Sequence, residues 1–174
     1  MKDRLDDAGL GGWLDDWDIE NIYKEVSKLK FGQTYVEIGV AHGASLSIAN
    51  SATKDGINLY GIDRIDWPDR EGLIEKFLGY QGKHEFIEGE SEVQARFWNR
   101  GEIDLLFIDG DHTYEGVLKD IALWVPWVKH GGIIMFDDYT EVTGVKEAVN
   151  KILFEHKAFK DQKVEGEMFI ITKI

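Results

Sequence analysis

Cysteine is absent from this 174-residue chain, which removes disulfides, thiolate metal sites and a thiol nucleophile at once. Only two prolines occur, Pro68 and Pro126. No apolar run approaches the roughly 18 residues of a membrane span. The opening stretch MKDRLDDAGLGGWLDD is acidic and carries no signal-peptide core. Positive charge is also scarce: 20 Lys+Arg stand against 33 Asp+Glu, a net charge of −13. Such a field repels polyphosphate and anionic lipid, so neither nucleic acid nor a membrane is an expected partner. The same field favours cationic ligands and divalent metals. The expectation is a soluble, cytoplasmic protein.

What is plentiful is apolar sequence, at 43%, and glycine, with 19 residues. That suffices for one domain with its own core. We expect a helical segment over 1–30 and an α/β core over 31–174. Short apolar runs at 34–38, 58–62, 85–87, 103–108, 132–136 and 168–174 read as strands. Between them, 18–29, 45–53, 70–78, 91–98, 114–128 and 145–156 read as helices, apolar residues recurring at helical spacing in the longer ones. Alternating strands and helices predict a mostly parallel, doubly wound sheet. The stretch 160–166 reads as a polar connection to a final edge hairpin. In such sheets ligands lie outside the carboxyl ends of the strands, and four strands here end in Gly39, Asp63, Asp109 and Asp137-Asp138.

The first of these turns reads Glu37-Ile-Gly-Val-Ala-His-Gly-Ala-Ser45. Gly39 and Gly43 permit a tight bend with close backbone approach, Ala41 and His42 lie inside it, and a helix start follows. The spacing is GxxxG, not GxGxxG. With Glu37 beside the bend, a cofactor with cationic groups and no phosphate, such as S-adenosylmethionine (SAM), suits it better than a diphosphate. Plain packing of strand against helix is the competing explanation for the glycines. Asp63, 24 residues after Gly39, is placed to accept ribose hydroxyls. Trp67 follows in the next loop, on the adenosine or acceptor side. Glu88-Gly-Glu-Ser91 brings backbone amides toward an adenine, and Ser91 also reads as a helix N-cap with Gln94 three residues on.

The densest chemistry lies in Ile108-Asp-Gly-Asp-His-Thr-Tyr114 and at Asp137-Asp138. Asp109, Asp137 and Asp138 converge on one sheet edge and repel unless a cation sits among them. A hard divalent ion answers this: Mg²⁺, with Mn²⁺ or Ca²⁺ as alternatives. His112, whose imidazole titrates near neutrality, is a candidate base. Asp109 is a candidate beside it at the reacting end; the bland readings are a helix or turn cap for Asp111 or Asp138, a purely cofactor-holding role for Asp109 and a structural role for the histidine. His84 and His130 read as solvent-facing, as does His156.

Taken in order, Val36–Ser45, Ile62-Asp63, Glu90-Ser91, Leu106–Tyr114, Val128–Ile133, Phe136–Asp138 and Gly144-Val145 resemble the class I SAM-dependent methyltransferases. The likeness is closest to the small family of sugar O-methyltransferases and cephalosporin-hydroxylase-like proteins, and to the metal-dependent catechol and caffeoyl-CoA type. The resemblance implies a Rossmann-like, seven-stranded sheet whose last strand is antiparallel. It implies Glu37, Gly39 and Ser45 at the methionine part of SAM, with Ala41, His42 and Gly43 in the same turn. It puts Asp63 at the ribose, Glu90 and Ser91 by the adenine, Asp109, Asp137 and Asp138 as metal ligands, and His112 where the catechol type has a catalytic lysine. Asp137-Asp138 departs from the usual Asp-Asn pair. The expected reaction is O-methylation of a small-molecule hydroxyl. A non-catalytic SAM- or metal-binding module and an NAD-dependent oxidoreductase are the rivals. No lid is expected beyond the helix at 18–29, so the acceptor pocket should be open or completed by a second subunit. Trp13, Trp17 and Trp127, as exposed aromatics, point to a homodimer.

Overall fold

A computed structural model describes residues 1–65, 67–155 and 158–174. The elements in chain order are α1 (Lys2–Ala8), α2 (Asp16–Val26), β1 (Thr34–Ile38), α3 (Ala44–Ala52), β2 (Asn58–Asp63), α4 (Arg70–Leu78), β3 (Glu85–Glu88), α5 (Ser91–Arg96), β4 (Ile103–Ile108), α6 (Tyr114–Trp124), β5 (Val128–Phe136), α7 (Thr143–Glu155), β6 (Phe159–Glu165) and β7 (Met168–Lys173). Seven strands form one sheet in the order β3-β2-β1-β4-β5-β7-β6. The first five are mutually parallel, and β7 runs antiparallel to both β5 and β6. This is the expected α/β doubly wound architecture.

Two cores cover the two faces. Leu105, Phe107 and Met135 pack with Leu5, Ile22, Leu46 and Ile74 beneath α1–α4. Leu106, Ile108 and Ile134 pack with Ala95, Ile121, Trp124 and Val149 beneath α5–α7. All six residues of β4 are buried, because a central parallel strand is covered on both sides.

The largest departure from the sequence expectation is β6. The polar stretch 160–166 is itself mostly strand, and it, not β7, forms the edge. Lys160, Asp161 and Gln162 stay in solvent while β7 is buried between β5 and β6. A charged edge strand with a register shift between Lys160 and Lys163 guards against further pairing, and that charge hides it from hydropathy. The N-terminal 1–30 segment holds two helices rather than one. Helix α2 starts at Asp16 through a capping box, in which Asp15 accepts from the Asp18 amide and the Asp18 side chain accepts from the Asp15 amide. Helix α6 stops at Trp124, and Pro126 sits in a 3₁₀ turn over Val125–Trp127. Among the described residues no helix is long and apolar enough to cross a membrane.

Candidate active site

A cavity of about 890 Å³ opens at the carboxyl ends of β1, β2, β3, β4 and β5. Its position follows from connectivity: each parallel strand delivers its next loop to the same edge.

The floor is the bend after β1. Gly39 has φ +86°, and a side chain there would lie 2.0 Å from the Asp109 carbonyl oxygen. Only glycine lets the β1 and β4 ends meet this closely. Gly43 (φ +92°) is the N-cap of α3, packed so tightly on Ile74 that a Cβ would approach to 2.7 Å. Ala41 holds φ 44° without being glycine. Asp63 secures this bend: its Oδ2 accepts the Val40 and Ala41 amides at 3.0 and 2.8 Å, and its Oδ1 accepts the Ile65 amide at 3.1 Å.

Gly39, Ala41, His42, Ser45, Asp63, Glu90, Ser91, Asp109, His112, Asp137 and Asp138 all line the cavity. Glu37 does not. It is fully buried under the bend, accepting from Tyr35 Oη at 2.7 Å and Ser45 Oγ at 2.5 Å. Burial raises its pKa to about 7, those two hydrogen bonds pull it down, and Asp63 and Asp137 push it up. Glu37 therefore lies beneath the cavity floor, where it engages the hydroxyl of Ser45. Gly43 likewise acts through backbone and not as a wall.

Ser91 does not cap α5. The N-cap is Glu90, with no side-chain cap bond. The Ser91 hydroxyl instead donates to Asp120 Oδ1 at 2.5 Å and accepts from Trp124 Nε1 at 2.7 Å.

At the far end of the cavity, Asp109, His112 and Asp138 each bring one donor atom within 4.8 Å of the others. His112 Nδ1 lies 2.5 Å from Asp138 Oδ2, and Nε2 lies 3.9 Å from Asp109 Oδ1. This grouping includes His112 and not Asp137, which was expected beside Asp109 and Asp138. Asp137 is buried alongside, and its Oδ1 has no hydrogen-bond partner among the described residues. Asp138 sits at φ 55°, a left-handed conformation that Asp and Asn tolerate best. Gly144 permits the approach of α7 to this loop, since a Cβ there would lie 2.7 Å from the His112 carbonyl oxygen.

Burial raises the Asp109 pKa well above the ordinary range, with Asp137, Glu37 and Asp138 adding to it. Burial likewise takes Asp137 to about 7. The hydrogen bond to Asp138 raises His112. Asp18 belongs to the same cluster, and the sequence shows it only as a first-turn helix acid. It is buried, its Oδ1 has no hydrogen-bond partner among the described residues, and its charge acts on both Asp109 and Asp137.

The N-terminal region also contributes cover. Trp13 and Leu14 line the cavity, and Trp13, His42 and Trp67 form a row with ring centroids 5.3 and 4.5 Å apart. A covering segment therefore exists upstream of α2, where none was expected. Trp13 (58% exposed) and Trp17 reach solvent as expected, but Trp127 is partly buried and donates to the Ala95 carbonyl at 3.0 Å. His84 is not solvent-facing either: its side chain is enclosed between Asn50 and Glu71. His130 is exposed, and His156 lies outside the described residues.

A family described as "Methyltransferase domain" matches residues 36–139, the segment from β1 through the acid cluster. The chain belongs to that family. It is 38% identical over 138 residues to "Uncharacterized protein R132" of Acanthamoeba polyphaga mimivirus, covering 73% of this chain and 62% of that one; the chain thus spans less than two thirds of this relative. Among solved structures, cofactor-bound Rv0187 from MTB superposes with a TM-score of 0.76 at 14% identity, over 98% of this chain and 86% of that chain. The O-methyltransferase from Bacillus cereus in complex with SAH superposes with a TM-score of 0.74 at 13% identity, over 99% and 89%. The fold is that of the class I methyltransferases.

Proposed function

We propose that this domain transfers the methyl group of SAM to a hydroxyl oxygen of a small-molecule acceptor. The observation that carries this reading is the charge of the cavity. Among the described residues, eight acidic side chains line it against two basic ones, Arg64 and Lys119. A diphosphate cofactor such as NAD would enter against that field. SAM, with an ammonium, a sulfonium and no phosphate, enters with it, and the volume suits a nucleoside with an acceptor beside it. Asp63 would hold the ribose, and the backbone at Gly39–Ser45 would border the methionine portion.

The acceptor oxygen attacks the sulfonium methyl in line. The C–O bond forms as the C–S bond breaks, the electron pair stays on sulfur, and S-adenosylhomocysteine (SAH) leaves. His112 takes the hydroxyl proton. Asp138 orients the imidazole through Nδ1, which leaves Nε2 facing the cavity as the basic nitrogen. Positioning supplies most of the acceleration.

Metal assistance is a second reading, favoured by the convergence of Asp109, His112 and Asp138. The two carboxylate oxygens suit Mg²⁺ or Mn²⁺, an imidazole nitrogen suits Mg²⁺ less well, and Asp137, whose Oδ1 has no hydrogen-bond partner among the described residues, is next in line. A bound divalent ion would lower the pKa of the acceptor hydroxyl. Calorimetry with SAH, NAD and buffer blanks tests the main reading: binding of SAH without NAD is expected, and binding of NAD in preference would overturn it.

A further inference from the structure

We infer that Asp120 is the residue that selects adenine at the nucleoside end of the cavity. The inference rests on the SAM reading above and adds a residue that no motif marks.

Asp120 lies on α6, is 6% exposed and still lines the cavity. Its two oxygens have different surroundings. Oδ1 accepts the Ser91 hydroxyl at 2.5 Å. The direction of that bond is forced, because Trp124 Nε1, 2.7 Å from the same hydroxyl, can only donate. The Ser91 oxygen must accept from the indole, so its single hydrogen goes to Asp120. Oδ2 lies beside Gly110, 3.5 Å from where a Cβ would stand, and makes no hydrogen bond among the described residues. Lys119 Nζ pairs with Glu92 at 3.2 Å and acts on Asp120 only through its charge, while burial raises the Asp120 pKa.

A carboxylate oxygen therefore faces the space between the β3–α5 junction and the β4 turn. Apolar walls from Ile38, Ile62 and Val93 border the same cavity. An aromatic base fits between such walls, and what this oxygen accepts is an exocyclic N–H. Adenine offers one at its 6-position. Hypoxanthine presents a carbonyl oxygen there, which a carboxylate repels. Leaving such an acceptor unpaired beneath a bound base is costly, so a site of this kind discriminates strongly.

Ser91 makes the prediction sharper. In Asp120→Asn the Ser91 hydrogen still needs an acceptor, so the amide oxygen takes the Oδ1 place and the amide NH₂ faces the cavity. The acceptor becomes a donor, and the preference should invert.

Calorimetric titration of wild type and Asp120→Asn with SAH and with S-inosylhomocysteine, at mildly alkaline pH, tests this. Wild type should favour SAH by at least about tenfold, the worth of one hydrogen bond to a charged group. Asp120→Asn, checked for an unchanged thermal melt, should lose that preference or reverse it. A wild type indifferent to the two ligands overturns the inference, and that measurement needs no variant to fold. So does an Asp120→Asn protein that keeps the wild-type ratio. Failure of wild type to bind SAH at all would overturn the cofactor reading and this inference with it.

Discussion

His112 Nδ1 lies 2.5 Å from Asp138 Oδ2, a pairing across the ends of β4 and β5 that gives the imidazole a fixed orientation. The hydrogen bond to Asp138 is the leading reason its pKa rises. A base must be unprotonated to act, so methyl transfer should climb with pH through a value above the ordinary 6.5. His112→Ala should lower kcat by about 10²–10⁴-fold and flatten that limb of the profile. An unaltered pH–rate profile in the variant would remove His112 as the base.

Asp63 should matter twice, once to a ligand and once to the bend it secures. Asp63→Ala should weaken SAH binding by about tenfold or more and lower stability by on the order of 1–3 kcal/mol, as the Val40, Ala41 and Ile65 amides lose their acceptor. Asp63→Asn keeps one acceptor oxygen and should lie between. Calorimetry gives the first quantity and urea unfolding the second; full SAH affinity in Asp63→Ala would exclude the ribose contact.

Glu37 sets a pH dependence of stability. Its folded pKa is about 7 against an ordinary 4.5, chiefly through burial. A carboxyl whose proton is held more tightly in the folded state contributes its stabilisation in full below the unfolded value and loses it as pH rises through about 7. Asp18 and Asp137, each near 7 from 3.8, act in the same direction. The ligand-free domain should therefore melt at lower temperature in mildly alkaline than in mildly acidic buffer. Glu37→Gln should recover on the order of 1–3 kcal/mol at the alkaline end and little at the acidic end. Melting curves that are parallel across pH for both proteins would contradict this.

The metal reading separates from the base reading by a signal other than turnover. Mn²⁺ should give a bound electron-paramagnetic-resonance spectrum with wild type and lose it with Asp109→Asn, and excess EDTA should then slow methyl transfer. Full activity in EDTA with no bound Mn²⁺ would leave His112 and Asp138 acting alone.

Much of the scaffold could be read from residues in order. The boundaries of α4 and β4 coincide with the apolar periodicity, and the bend at Gly39–Gly43 follows from glycine spacing. Strand β6 could not be read, because charge on an exposed edge cancels the alternation that marks buried strands. Helix α1 is short and acidic, and its two buried residues, Leu5 and Ala8, make too slight a pattern to find.

The chain order alone determined which acids and glycines reach one end of the sheet, because right-handed β-α-β connection sends every parallel strand's following loop to the same edge. Only the tertiary structure decided what each side chain touches there. Glu37 and Asp63 both stand at strand ends, yet one is sealed under the bend and the other faces the cavity. Ser91 turns to Asp120, 29 positions away, instead of to its own helix, and Asp18 arrives from a helix outside the α/β alternation. Those outcomes depend on differences of an ångström or two between segments distant in sequence, where hydrogen bonding and desolvation change steeply and local residue pattern carries no record of them.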